Sequence, residues 1–303
     1  MIWYNTYIYK ADGQEGCMKE RESNVLSLLE DRTNHYSRKI ALGMKTQFGW
    51  KELTYDGLGL MSRRLAAYLM NDLGLQKGEK LAILSESKPE YGACVFASVI
   101  SGLITVPLDI KLTKYELQSI LSDCLPSVML VSQSYIDKAL ELQKLIPSLK
   151  HIIVMDEHPV NDDLQSIYTI PNNYTCKWRH RSSKSTVFII YTSGTTGKPK
   201  GVETTFGNML AQLNGLKVTF DKILPPGDVR ILSILPMNHL FEMTVGFTTF
   251  LNLGFSVYYT HNLKPKDILN IMRDRKINFM IVVPAFLKLL KTGLEAEMKN
   301  TSK

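Results

Sequence analysis

The 303-residue chain predicts an α/β fold of parallel sheets flanked by helices. Three observations carry that expectation. Short runs are apolar on consecutive positions, as strands buried on both faces are. Stretches of helical period lie between them. The two kinds alternate on the scale of strand–helix–strand units, which forces parallel sheets with helices on both faces.

The strand-like runs fall at 80–85 (KLAILS), 103–107 (LITVP), 127–131 (SVMLV), 151–155 (HIIVM), 187–191 (VFIIY), 230–235 (RILSIL), 255–259 (FSVYY) and 278–283 (NFMIVV). Leu58, Met61, Leu65 and Leu69 form a helical stripe, with Arg63 and Arg64 on its far side. Pro89 stands where a helix can begin. Thr113 and Glu116 have capping-box spacing. The segments 91–108 and 243–260 are uncharged and just long enough to span a bilayer. Both are rich in Gly, Ser and Thr, and each reads instead as a buried helix running into a buried strand. The polar stretch 156–185 reads as a long connection with one short strand. Within it, 177-KWRHR-181 reads as a solvated loop face rather than a nucleic-acid contact. A boundary is expected at the end of this stretch. Residues 1–22 form an atypical tail, 23–185 a first α/β subdomain and 186–303 a second.

Composition sets limits on function. The net charge of +7 favours small polyanions but is too weak to argue for nucleic acid. With 45% hydrophobic residues the chain can bury a sizeable core, so disorder is not expected. Cys17, Cys94, Cys124 and Cys176 match no zinc or redox spacing and read as free thiols. The start, MIWYNTYIYK, lacks the pattern of a signal peptide. A cytoplasmic location is expected, with room for peripheral contact at a membrane.

The richest chemistry lies in 191-YTSGTTGKPKGV-202. It follows an apolar strand-like run, and 206–218 then has the periodicity of a helix. Strand, glycine loop and helix together can present backbone N–H groups and a helix N-terminus to an anion. Gly194, Gly197 and Gly201 permit positive φ and close approach of backbone to ligand. Thr192, Ser193, Thr195 and Thr196 add hydroxyl donors. Lys198 and Lys200 add charge. The Walker spacing is excluded, because Pro199 follows Gly197-Lys198 where a magnesium-binding hydroxyl is required.

This loop resembles the phosphate-loop signature of the adenylate-forming (AMP-binding) superfamily. The likeness extends to 49-GWKELTYDGL-58, to 77–109, to 235-LPMNHLFEMTVGF-247 and to 281-IVVPAFLKLL-290. The Asn-His-Leu-Phe-Glu wording, with the apolar Phe241, Met243, Val245 and Phe247, is most similar to long-chain fatty acyl ligases. The resemblance implies the two similar layered subdomains of the family's N-terminal domain. It also implies a two-step reaction. A carboxylic acid attacks the α-phosphate of ATP, held as its Mg2+ complex, giving acyl-adenylate and pyrophosphate. Coenzyme A, or the phosphopantetheine of an acyl carrier protein, then takes the acyl group. Thr192 to Gly197 would hold the departing phosphates, with Lys198 and Lys200 beside them. His239 and Met243 would belong to the acid pocket. Gly57 stands where the family usually has a capping glutamate, and Phe206 where it has a histidine near the loop. The family's adenine and ribose motifs and its adenylating lysine do not occur in 203–303. A second polypeptide could supply them; alternatively the chain is a non-catalytic nucleotide- or acyl-binding remnant.

Overall fold

The computed structural model describes residues 32–301, except 158–162, 175, 177, 178, 180, 193–198, 225, 226 and 283. Two sheets dominate. The seven-stranded sheet contains β3 (Lys80–Leu84), β4 (Ile104–Pro107), β5 (Val128–Val131), β6 (His151–Val154), β7 (Gln165–Ser166), β8 (Thr186–Thr192) and β9 (Lys200–Thr205), in the order β7-β6-β5-β3-β4-β8-β9. The five-stranded sheet contains β1 (Ile40–Thr46), β2 (Gly49–Thr54), β10 (Arg230–Ser233), β11 (Ser256–Tyr259) and β12 (Phe279–Ile281), in the order β12-β10-β11-β1-β2. All eight anticipated strands form, and the short strand expected in 156–185 is β7. Every pairing is parallel except the two hairpin-like pairs β1–β2 and β8–β9.

The sheets do not divide at 185/186. The β8–β9 pair, which follows that point, completes the sheet begun by β3. The β1–β2 hairpin, which precedes it, joins β11 through β1. Sequence periodicity finds strands but not their partners, and these two excursions interleave the halves. The pattern also misses β1, β2 and β9. β2 and β9 are edge strands that mix polar with few apolar residues, whereas β1 is short of a continuous apolar run because Gly43 interrupts it and Lys45 and Thr46 end it.

Helices follow the anticipated signals. Helix α1 (Tyr55–Asn71) buries Leu58, Leu65 and Leu69. Thr54 caps it by accepting the Gly57 N–H at 3.0 Å, so the missing glutamate removes one half of a reciprocal cap and leaves the other. Helix α2 (Pro89–Ser101) opens on proline and has every residue buried. This explains the uncharged run 91–108: α2 lies in the core that joins the two sheets, then feeds β4. Added bulk at its Gly92 would meet Leu42 Cδ1 at 2.5 Å and Phe247 Cε2 at 2.8 Å. The capping box of α3 (Lys114–Cys124) is complete: the Thr113 hydroxyl accepts from Glu116 N, and the Glu116 carboxylate accepts from Thr113 N at 2.8 Å. Helices α4 (Ile136–Leu145) and α5 (Phe206–Ile223) cover further sheet surface, α5 opening on a second capping box, Thr205 with Asn208. A π-helix (Glu242–Thr249) runs into α6 (Phe250–Asn252) and then β11. Helices α7 (Pro265–Asp274) and α8 (Pro284–Thr301) complete the chain's described part. No helix among the described residues is long and apolar enough to cross a membrane.

The basic patch is a correction. Trp178, Lys177 and His180 lie outside the described residues, but Arg179 and Arg181 turn inward. Arg179 donates to the carbonyls of Leu75 and Ser101 at 3.0 and 3.1 Å. Arg181 is buried and donates to Thr186 O at 2.8 Å and to Leu103 O. A guanidinium offers several donors in a fixed fork, so it can satisfy carbonyls of two elements at once. Here it ties the amino end of β8 to the start of β4.

Candidate nucleotide and acid site

Residues 193–198 lie outside the described residues, so nothing is said of the arrangement of Ser193, Gly194, Thr195, Thr196, Gly197 or Lys198. Their two roots are described. Thr192 ends β8, Lys200 begins β9, and the two are register partners. The loop is therefore closed at its base by a strand pair, with both root residues exposed. Tyr191 braces this base by donating from its hydroxyl to the Asp123 carboxylate at the end of α3. Gly201 is extended within β9 rather than in a positive-φ turn. Its role is close approach: a side chain there would meet Ile189 Cγ2 at 2.8 Å and the Tyr191 ring at 3.1 Å.

A second correction concerns the helix after the loop. β9 intervenes and runs antiparallel to β8, so α5 starts beside Thr186, at the far end of β8. Six extended residues span about 20 Å. The α5 N-terminus is thus not an anion cradle for this loop. Phe206 is likewise not near it; it is buried in the core and its N–H bonds Ser185 O at 2.9 Å.

The segment 234–241 leaves β10 and leads into the π-helix. His239 is exposed, with its N–H on Pro236 O at 3.1 Å and its carbonyl accepting from Met243 N at 3.0 Å. Leu240 and Phe241 beside it are exposed too, whereas Met243, Val245 and Phe247 are buried. Met243 packs in the core rather than facing an open pocket. Met209, Gln212 and Leu213 of α5 and Thr244 and Thr248 of the π-helix line a surface depression too shallow to enclose a water molecule.

What brings the two loops to one edge is sheet direction. β3, β4 and β8 are parallel, so the segments after β3 and after β8 leave the same edge. They are two strand spacings apart, about 10 Å. Ser87, just after β3, accepts the N–H of Met237 at 2.9 Å. The 234–241 segment is thereby pinned to the edge that carries the phosphate-type loop. The chain passes from β3 to β4 on one side and then to β5 on the other, and ligands in open α/β sheets bind outside the strand carboxyl ends at such a reversal.

Sequence reasoning missed the groups that line this edge. Lys88 is buried, pairs with Asp156 at 2.7 Å and lies 3.8 Å from Glu86. Asp156 also accepts Gln133 N at 2.7 Å, and Glu86 accepts from the Ser132 hydroxyl at 2.5 Å. His261, exposed just after β11, has its imidazole held below the ordinary histidine range by crowding of neighbouring groups around the ring. Also missed was Glu242, a buried carboxyl at the head of the π-helix. The one signal available was its place as a lone acid immediately before an 18-residue uncharged run. Among the described residues no cluster of His, Cys, Asp or Glu could hold a metal ion.

Comparison with known proteins defines the class. The model of the AMP-binding enzyme family matches residues 29–303, and the chain belongs to that family. It is 26% identical over 305 residues to a long-chain-fatty-acid–CoA ligase of Salmonella typhimurium, covering 90% of this chain and 52% of that protein. It is 27% identical over 245 residues to luciferin 4-monooxygenase of Photinus pyralis, covering 77% and 44%. Among solved structures, the N-terminal domain of FACL13 from Mycobacterium tuberculosis matches with a TM-score of 0.76 at 19% identity, covering 89% of this chain and 65% of that one. ATP-bound MatB from Rhodopseudomonas palustris matches with a TM-score of 0.73 at 22% identity, covering 88% and 50%. These structural matches show that the chain shares its fold with the FACL13 N-terminal domain and with MatB. The chain spans about half the length of the curated relatives it matches.

Proposed function

We propose that this chain supplies the phosphate loop and the acid-binding segment of an enzyme that activates a carboxylic acid with ATP. A fatty acid is the favoured substrate, because the relatives named above include long-chain-fatty-acid–CoA ligases. The acid attacks the α-phosphate of ATP to give acyl-adenylate, and pyrophosphate leaves. The acyl group then passes to the thiol of coenzyme A or of a carrier protein's phosphopantetheine. Transfers of this kind depend on positioning and charge neutralisation. Thr192, Ser193, Gly194, Thr195, Thr196 and Gly197 hold the β- and γ-phosphates, with Lys198 and Lys200 countering their charge. Mg2+ would arrive with ATP, held chiefly by phosphate oxygens and water. His239 meets the acid; Met243 backs it from the core. The remaining half of the relatives' length would come from elsewhere in the same protein or from a second polypeptide.

The observation that carries this reading is the shared edge: Thr192 and Lys200 close the loop after β8, and Ser87 pins the His239 segment beside it. Equilibrium dialysis with ATP tests it. Gly197→Val crowds the loop backbone and is expected to lower ATP affinity at least tenfold. Equal affinity in the variant sinks the loop assignment. With this chain by itself no carboxylate-dependent ATP–pyrophosphate exchange is expected, since the adenylating lysine motif is not in it; robust exchange would contradict that division of labour.

A further inference from the structure

The segment that presents His239 is closed at its base by two side chains. Ser233 ends β10 and Glu242 begins the π-helix, and the Ser233 hydroxyl donates to Glu242 Oε1 at 2.5 Å. Both are buried. Between them run residues 234–241, held at one further point by the Ser87 contact to Met237. We propose that Glu242 is a positioning residue, a carboxyl clasp that fixes the 234–241 segment through Ser233 and holds it when protonated. The clasp rests on the reading above for its purpose, since it would set where His239 meets the acid.

Several independent features fit a neutral carboxyl. Glu242 is 1% exposed and no cation faces it among the described residues. The Ser233 hydroxyl is the one group there that favours its charged form, while burial pushes the carboxyl up to about 7. The titratable groups around it are phenols: Tyr259 on β11, the register partner of Ser233, and Tyr91 on α2, beyond which lies Cys94. Both phenol oxygens are buried without a protein hydrogen-bond partner, so neither supplies a fixed donor to a charged carboxylate. Gly246 leaves the space one turn on: any side chain there would overlap the Glu242 carboxyl. The π-helix geometry is itself stabilised by hydroxyls, with Thr248 bonding Met243 O and Thr249 bonding Thr244 O, each at 2.7 Å and five residues back. Such wide turns are rare and occur preferentially at functional sites.

Deprotonation puts an uncompensated charge in the core, which is relieved by opening the clasp. Hydrogen exchange of backbone amides, corrected for intrinsic rate, reads this without ATP or acid. In the native chain, exchange in 234–241 is expected to accelerate about tenfold between pH 6 and pH 8.5, while β11 stays protected. Glu242→Gln keeps an acceptor for Ser233 but cannot ionise; its segment should stay protected across the range. Glu242→Ala, and Ser233→Ala as the milder variant should the first fail to fold, should exchange fast at every pH. A flat native profile, or Glu242→Ala and Ser233→Ala segments as protected as the native one, overturns the clasp. Because the readout uses no substrate, loss of the ATP-binding result above leaves this test standing, and the reverse.

Discussion

The two loops at the shared edge are built on opposite principles. The loop 193–199 announces itself by residue type, and its base is a backbone strand pair, Thr192 with Lys200. The segment 234–241 has one titratable side chain, His239, and its base is a side-chain clasp in the core, Ser233 with Glu242. The first can be recognised from twelve letters. The second depends on what the fold folds over it. The contrast teaches that a chemical motif and its support are encoded differently: ligand-facing loops by local composition, their positioning by strand register and by buried side-chain contacts that composition does not reveal.

Variants that strike one support and spare the other probe this contrast. The largest effect is expected from Arg181→Ala, which strips charge-assisted bonds from Thr186 O and Leu103 O beneath β8. Two such bonds are worth about 4 kcal/mol together, with the carbonyls left buried and unpaired. Denaturant unfolding should register it, and ATP affinity should fall with β8 displaced while the pH profile of 234–241 is kept.

Next comes the pH dependence set by Glu242. Its ordinary value is 4.5 and the folded value about 7, so between these the folded state holds a proton the unfolded chain has released. Stability therefore falls as pH rises through that window and levels off above it. Below it the residue contributes no difference. The full loss is about 3 kcal/mol at 1.36 kcal/mol per pH unit. Comparing Glu242→Gln with the native chain at pH 5 and pH 8 isolates the effect: the variant's advantage should appear only at the higher pH. An equal difference at both pH values would point to packing instead.

Gly201→Val acts on the other base. Bulk there presses on Ile189 and Tyr191, at an expected cost of about 2 kcal/mol. Calorimetry should show the loss, and ATP binding should weaken without change in the His239 segment. The smallest effect, about 1 kcal/mol, is expected for Thr113→Ala, which removes the hydroxyl half of the exposed α3 capping box. Both loops should ignore it.

Much of the fold was legible because buried parallel strands and capped helices leave short-range marks. The capping box at Thr113 and Glu116, the proline opening α2 and all eight apolar strands appear where the sequence indicates. What was not legible was pairing. β1, β2 and β9 make the pairings that interleave the two sheets, and β9, largely polar, moves the α5 N-terminus away from the phosphate loop. Phe206 was consequently assigned to the loop's surroundings when it belongs to the core. Arg181 looked like a surface charge because its partners are backbone carbonyls, which composition never reveals. At the site, the loop and His239 stood out by residue type, whereas Ser87 acts through a partner 150 residues away and Ser233 and Glu242 through a buried contact that residue type does not signal.

The central claim is that one edge holds phosphate at 192–200 and acid at 234–241 as separable halves of one site. A two-by-two titration tests it most directly, using magnesium pyrophosphate and a fluorescent long-chain fatty acid against Gly197→Val and His239→Ala. The expected result is a crossed pattern: Gly197→Val weakens pyrophosphate at least tenfold and spares the acid, and His239→Ala weakens the acid and spares pyrophosphate. Contradiction would come from both variants leaving both ligands unchanged, or from each weakening both ligands alike.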